Sequence, residues 1–269
     1  MAAFPWDQFF VLLMAGVFGT LAGMPLGFAL SRERLENTSL SVQHILLFSS
    51  IQNGILLLAA VSVGLPLSMV TGLGAPLLEL ALAGESVFSE LAARIPVAVG
   101  LGVAAAVLVL LLDISFFKRR LPKRVYQNYA ETALWKRFLA GFYGGINEEI
   151  LTRLFLFSLL AWLLGFIWHM PNNLPTAGVF WAANIGAALA FGLGHLPATA
   201  AVTPLTRILI VRALLLNGIG GVAFGYVYWH YGLIAAMLAH YSADMVFHVI
   251  APLFVDFGTS QPVADTLAQ

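Results

Sequence analysis

The chain has 269 residues, 60% hydrophobic and only 10% charged, and its thirteen Lys plus Arg balance thirteen Asp plus Glu to a formal net charge of zero. A water-soluble domain carries nearer 25% charged residues, so the composition excludes an ordinary soluble protein and indicates one that lives in a lipid bilayer. There is no broad basic surface, hence no nucleic-acid partner, and no Cys, which removes disulfides, thiolate nucleophiles and thiolate metal ligands together.

The hydropathy pattern predicts an all-α, polytopic transmembrane helical bundle of about seven spans. Span 1 covers about 8–30; it is too long for a signal peptide and MAAFPWDQFF lacks the positively charged leader region, so it reads as a retained span. Arg32 and Arg34 follow it. Span 2 is about 41–64, with His44 near its end. Pro66, Gly72, Gly74 and Pro76 then break the pattern, and 67–93, with Glu79, Glu85 and Glu90, reads as a short amphipathic helix at the surface.

Span 3, about 94–112, ends at Asp113. The linker 113–137 holds Lys118, Arg119, Arg120, Lys123, Arg124, Lys136 and Arg137, more than half of all the Lys and Arg. The positive-inside rule makes it cytoplasmic, which places the N-terminus and the acidic 65–93 loop outside. Span 4, about 138–168, stops before the turn residues of HMPNNLPTAG. Span 5 is about 178–196, followed by a connection at 197–206. Span 6, from near Leu205 to about Trp229, is interrupted by Gly218, Gly220 and Gly221 and reads either as one helix or as two shorter ones. Span 7 is about 232–254, and 255–269 is a polar tail. An eighth span, from 67–93 or from a split of span 6, stays open. The chain thus divides into N-terminal helices with a basic linker (1–137), a catalytic core (138–254) and the tail (255–269).

Span 4 contains Glu148, Glu149 and Arg153. Each charge in hydrocarbon costs at least about 2.5–3.5 kcal/mol, so these groups face protein or a wet cavity. Residues four apart share a helix face, which puts Glu149 beside Arg153 and Glu148 beside Thr152. Glu149 and Arg153 then neutralise each other and leave Glu148 for other work. Span 7 adds His240, Asp244 and His248 at intervals of four, and span 5 adds His195 at its inner end. At about 1.5 Å per residue, Glu149 and His240 lie roughly 16–18 Å deep and His195 somewhat shallower. Three helices therefore bring ionisable groups to one layer.

A water held among Glu148, Glu149, His195 and His240 could lose its proton to a carboxylate, with His240 and Asp244 serving a developing oxyanion. Glu149, His195 and His240 would equally suit Zn²⁺ with one position left for water; HExxH is absent. His248 reads as structural, His169 and His230 as interfacial residues among tryptophans, and Arg212 as snorkelling or paired with a carboxylate.

In these motifs the chain resembles the CAAX-protease and bacteriocin-processing family of intramembrane endopeptidases, which includes the type II CAAX prenyl endopeptidases. EExxxR is matched by Glu148, Glu149 and Arg153, FxxxH by Phe191 and His195, and HxxxN/D by His240 and Asp244; the resemblance spans about 138–250. It implies peptide-bond hydrolysis in a membrane-anchored or lipidated peptide or protein, with Glu148 and His195 activating water, His240 and Asp244 at the oxyanion or a metal, and Glu149 and Arg153 shaping the site. An ionised Asp244 cannot donate a hydrogen bond, so it would orient His240 or bind a cation. The location implied is the cell membrane of a bacterium, the site opening to the cytoplasm. The competing readings are a non-catalytic membrane scaffold and an ion-coupled transporter; the latter lacks the matched halves such proteins show.

Overall fold

The computed structural model describes residues 3–36, 42–121, 125–126 and 132–255, and these are helical apart from turns and one isolated bridge between His169 and Pro175. Helix α1 is Trp6–Glu36, α2 Val42–Thr71, α3 Pro76–Leu82 and α4 Phe88–Leu112. Helix α5 is one continuous run made of Leu134–Phe142, the π-helical Tyr143–Glu148 and Ile150–Phe157, and Ser158–Gly165. Then come α6 (Ala177–Gly194), α7 (Leu196–Val202), α8 (Arg207–Tyr231) and α9 (Leu233–Asp244), which winds on through a π turn at Met245–Ile250 and a 3₁₀ turn at Ala251–Leu253.

By length and composition six helices suit a membrane crossing: Trp6–Leu30, Gln43–Thr71, Phe88–Arg120, Ala177–Val202, Arg207–Tyr231 and Leu233–Leu253. The seventh expected span is α5. It has the length, but Glu148, Glu149 and Arg153 in its middle set it apart from an apolar rod, as befits a helix whose polar face meets protein.

Two details differ from the sequence reading, and a third decides between alternatives it left open. Helix α4 does not stop at 112 but continues through a π turn at Asp113–Phe117 and a 3₁₀ turn at Lys118–Arg120, so the first part of the expected linker is helix. The connection after His195 contains α7. And α8 is one helix: Gly221 gives way to the Ala188 of α6, whose Cβ and Cα would stand 2.7 and 2.9 Å from an added methyl. In a bilayer helices gain little from burying apolar surface against each other and associate through close packing, so glycine here is a notch rather than a break. Lys123, Arg124 and 256–269 lie outside the described residues.

The same device seats α9 on α4, where Gly102 faces the backbone of Ala239. The main core joins Leu57 and Val61 of α2, Ala98 and Ala106 of α4, Ile150, Leu154 and Phe157 of α5, Val227 and Tyr228 of α8, and Ala235, Ala236 and Ala239 of α9. At one end of the bundle Gly232 (φ 86°) reverses the chain between α8 and α9. The Leu233 amide donates to the Gly74 carbonyl at 2.9 Å and Arg94 Nη1 to the Tyr231 carbonyl at 2.8 Å. The loop before α3, the start of α4 and the α8–α9 corner thus share one end, as the alternation of spans requires.

Candidate functional site

The polar residues of α5 sit on its π-helical stretch. A π turn holds an extra residue per turn, which re-aims neighbouring side chains, and such turns often mark functional sites. The two glutamates, adjacent in sequence and so about 100° apart around the helix, meet different surroundings. Glu149 is fully buried and its Oε1 meets Arg153 Nη1 at 3.0 Å; Glu148 keeps 23% side-chain exposure and lines a cavity of about 470 Å³. The i,i+4 pairing expected for Glu149 and Arg153 is present. Thr152 serves differently: its hydroxyl donates to the Glu148 backbone carbonyl and accepts from Arg153 Nη1. Arg153 Nη2 also donates to the Gly221 carbonyl of α8 at 2.7 Å, so the guanidinium ties α5 to α8 while neutralising Glu149.

His240 of α9 is fixed from every side. Its Nδ1 lies 2.7 Å from Glu149 Oε1; an Nδ1–H donated there sets the tautomer and turns Nε2 away from Glu149. Phe224 stacks beneath the ring (centroids 4.5 Å, 21°), and Phe191 meets it edge-on (5.7 Å, 89°). Nε2 then looks across to Glu148 Oε2 at 3.6 Å and Asp244 Oδ1 at 3.8 Å. Asp244 in turn stands 3.6 Å from His248 Nε2. Gly144, one turn before Glu148, has to be glycine for this set to close, because a Cβ there would lie 3.2 Å from His240 Nε2 and overlap Asp244 Oδ2.

His195 caps the C-terminal end of α6, Nδ1 against the Phe191 carbonyl at 2.8 Å and its ring edge-to-face on Phe191 at 4.6 Å. It lines the same cavity as Glu148, His240 and Asp244, and no carboxylate among the described residues comes within ion-pair distance of it. The structure therefore places four of the six candidates, Glu148, His195, His240 and Asp244, on one cavity, with Glu149 and Arg153 packed behind His240.

The zinc set read from spacing, Glu149, His195 and His240, does not assemble. Glu149 Oε1 is shared by Arg153 and His240 Nδ1 and its Oε2 is buried with no partner among the described residues, so this carboxylate is already engaged behind His240 and does not share the cavity with His195. Among the described residues no three His, Asp or Glu side chains converge as metal ligands do.

The structure adds to the sequence reading at several positions. His248, taken as structural, lines the cavity beside Asp244; its place four residues after Asp244 was the available signal. Phe224 gave none, since one more Phe in an apolar helix is unremarkable. Arg212 was read as snorkelling or paired, and its partner is Asp113. Other buried polar side chains are interhelical ties: Asn147 Nδ2 donates to Thr20 Oγ1 at 2.7 Å and Asn184 Nδ2 to the Val222 carbonyl at 3.0 Å. His169 and His230 are exposed, away from the cavity.

Residues 130–246 match the protein family described as Type II CAAX prenyl endopeptidase Rce1-like. The matched segment contains all six candidate residues. No curated protein and no solved structure matches the chain.

Proposed function

We propose that the chain is an intramembrane endopeptidase that hydrolyses a peptide bond in a membrane-anchored or lipidated peptide, with Glu148 as the base that activates water, a reading supported by the match of residues 130–246 to the type II CAAX prenyl endopeptidase Rce1-like family. The observation that carries this reading is the unequal fate of the two glutamates. Glu149 is locked behind His240 with Arg153, whereas Glu148 faces the cavity 3.6 Å from His240 Nε2.

In the mechanism we propose, Glu148 takes a proton from a water lying between it and His195 as the water oxygen bonds to the carbonyl carbon of the scissile amide. His240, held by Glu149 and stacked on Phe224, presents a protonated Nε2 to the oxygen that becomes negative; a donor fixed in a dry site stabilises such charge far better than one that must reorient. Collapse of the tetrahedral intermediate breaks the C–N bond, and the proton on Glu148 passes to the leaving amine, regenerating the carboxylate. An ionised Asp244 accepts and cannot donate, so its work is to orient His240 and His248. No step passes through a metal, because the residues present do not form a ligand set. A cavity of about 470 Å³ lies in the range of small-molecule and short-peptide sites. Asp113, Ala140, Arg212 and His248 lie at the end of the bundle from which the basic linker continues, and the positive-inside rule makes that end cytoplasmic; the membrane proposed is the bacterial cell membrane.

The test uses the purified full chain in detergent with prenylated and unmodified hydrophobic peptides, products read by mass spectrometry. Wild type should cleave, and Glu148→Gln should lose about 10²–10⁴-fold, the usual worth of a general base. A folded Glu148→Gln protein that cleaves as fast as wild type would remove Glu148 from the role.

A further inference from the structure

Asp244 is a carboxylate at membrane depth whose own support the hydrolysis described above does not explain. Among the described residues its side chain makes no hydrogen bond, and the groups within ion-pair distance of it are two imidazoles: Oδ1 stands 3.8 Å from His240 Nε2 and 3.6 Å from His248 Nε2. A charge in a bilayer-spanning helix is tolerated when it is paired or wet. With 15% side-chain exposure, Asp244 depends mainly on pairing.

His240 is a costly partner for it. The Nδ1 of that ring is engaged with Glu149 Oε1 at 2.7 Å, and its Nε2 is the nitrogen turned toward Glu148 and the reacting end. If Asp244 closed the remaining gap to Nε2, it would occupy the very N–H that a developing oxyanion requires. The carboxylate must therefore be kept beside His240 without bonding to it.

His248 stands where such a restraint is needed. It follows Asp244 by four residues, in the π turn Met245–Ile250 that continues α9, and its ring lines the cavity with 34% side-chain exposure. On the facing helix Gly144 leaves the space that Asp244 Oδ2 fills, since a Cβ there would overlap that oxygen. Oδ1 thus lies between two Nε2 atoms and slightly nearer the one that the reaction does not use. A neutral imidazole carrying its hydrogen on Nε2 suffices as donor, and hydrogen bonds at catalytic sites are commonly long before substrate binds and shorten afterwards. His248 also lies two residues beyond the segment 130–246 that matches the family, so that match assigns it nothing.

Resting on the peptidase reading of this cavity, we infer that His248 is a positioning residue that competes with His240 for Asp244 Oδ1, so that the carboxylate orients His240 without capturing its Nε2–H.

Two measurements on the purified full chain in detergent test this, and the first needs no cleavage. The protein is labelled with ¹⁵N-histidine, and the His240 Nε2 resonance is assigned among the six histidines by its loss in His240→Gln. His248→Leu should move that resonance as Asp244 closes on His240. His248→Gln, whose side-chain amide keeps an N–H donor, should leave it at the wild-type position, and in an Asp244→Ala background His248→Leu should move nothing. A ring that merely fills space would make Leu and Gln behave alike and would act with or without Asp244.

The second measurement is steady-state cleavage of the prenylated and hydrophobic peptides. His248→Leu should lower kcat about 10–100-fold, less than the roughly 10²–10³-fold cost of removing an oxyanion donor outright. KM should stay within about twofold and His248→Gln should recover kcat to within about threefold, the split expected when only an interaction of the transition state is lost. In Asp244→Ala the further cost of His248→Leu should vanish. An unmoved His240 resonance in folded His248→Leu, a shift that persists in Asp244→Ala, or a wild-type kcat in His248→Leu overturns the proposal. If wild type cleaves no peptide, the peptidase reading fails, and the resonance alone decides whether His248 positions Asp244.

Discussion

Gly144→Ala adds a single methyl at the point where α5 meets the reacting groups. The new Cβ would overlap Asp244 Oδ2 and press on His240 Nε2 at 3.2 Å. His240 cannot retreat, since Phe224 lies 4.5 Å beneath it and Glu149 holds its far nitrogen at 2.7 Å. The carboxylate of Asp244 is the softer partner and swings aside, giving up its place 3.8 Å from His240 Nε2 and 3.6 Å from His248. Overpacking of this kind costs about 1–3 kcal/mol, which a folded bundle survives. Displacement of reacting groups by about 1 Å costs on the order of 10²-fold in rate. We therefore expect kcat to fall about a hundredfold while the protein still purifies as a monodisperse species with a modestly lower Tm. Gly145→Ala is the matched control: its Cβ would crowd the Met237 carbonyl at 3.0 Å and Tyr241 Cβ at 3.1 Å, away from Asp244 and His240. It should cost stability in the same range and far less activity. If Gly144→Ala cleaves at the wild-type rate, or if both variants lose activity in proportion to Tm, the assignment of His240 and Asp244 to the reacting end is wrong.

Arg153→Met takes the guanidinium from the buried Glu149 carboxylate and leaves it only the His240 Nδ1 contact, and loss of about 3–5 kcal/mol is expected; a sharply lowered Tm or failure to accumulate checks it, and a wild-type Tm would contradict the pairing. Gly102→Ala drives a methyl into the Ala239 backbone, so α4 and α9 must separate; thermal unfolding in detergent should show about 1–3 kcal/mol lost. Phe224→Leu removes the ring stacked under His240 and should lower kcat more than it raises KM, because an oriented donor counts most in the transition state. Chelation followed by metal analysis should leave cleavage intact; activity that falls with chelator and returns with added Zn²⁺ would overturn the metal-free mechanism.

The parts of this site legible in the sequence are those governed by helix periodicity. The i,i+4 interval joined Glu149 to Arg153 and put His240, Asp244 and His248 on one face, and depth counting brought α5, α6 and α9 to a common layer. What periodicity could not supply is a departure from itself. The π-helical Tyr143–Glu148 and Ile150–Phe157 have no composition that announces them. Nor does the bond between Arg212 and Asp113, 99 residues apart, whose selection depends on how α4 and α8 cross. Gly218, Gly220 and Gly221 left one helix or two open for a physical reason: in water a glycine run weakens a helix, whereas in lipid a glycine such as Gly221 lets a neighbouring backbone approach. Spacing also brings residues near without saying which oxygen or nitrogen is already engaged, as with Glu149 Oε1 in the zinc set.

The surplus residue wound into each π turn of α5 has an evolutionary edge to it. Deleting one position in 143–148 would let that turn relax to a more regular, intrinsically easier α-helix with its flanks in place, and would turn the side chains between the deletion and Glu148 by about 100° around the axis, taking Gly144 or Glu148 from its place at the cavity. The chain is thereby tied to a helix that is imperfect by ordinary standards, and of its shortened variants the best-formed rod would be the one whose cavity no longer closes.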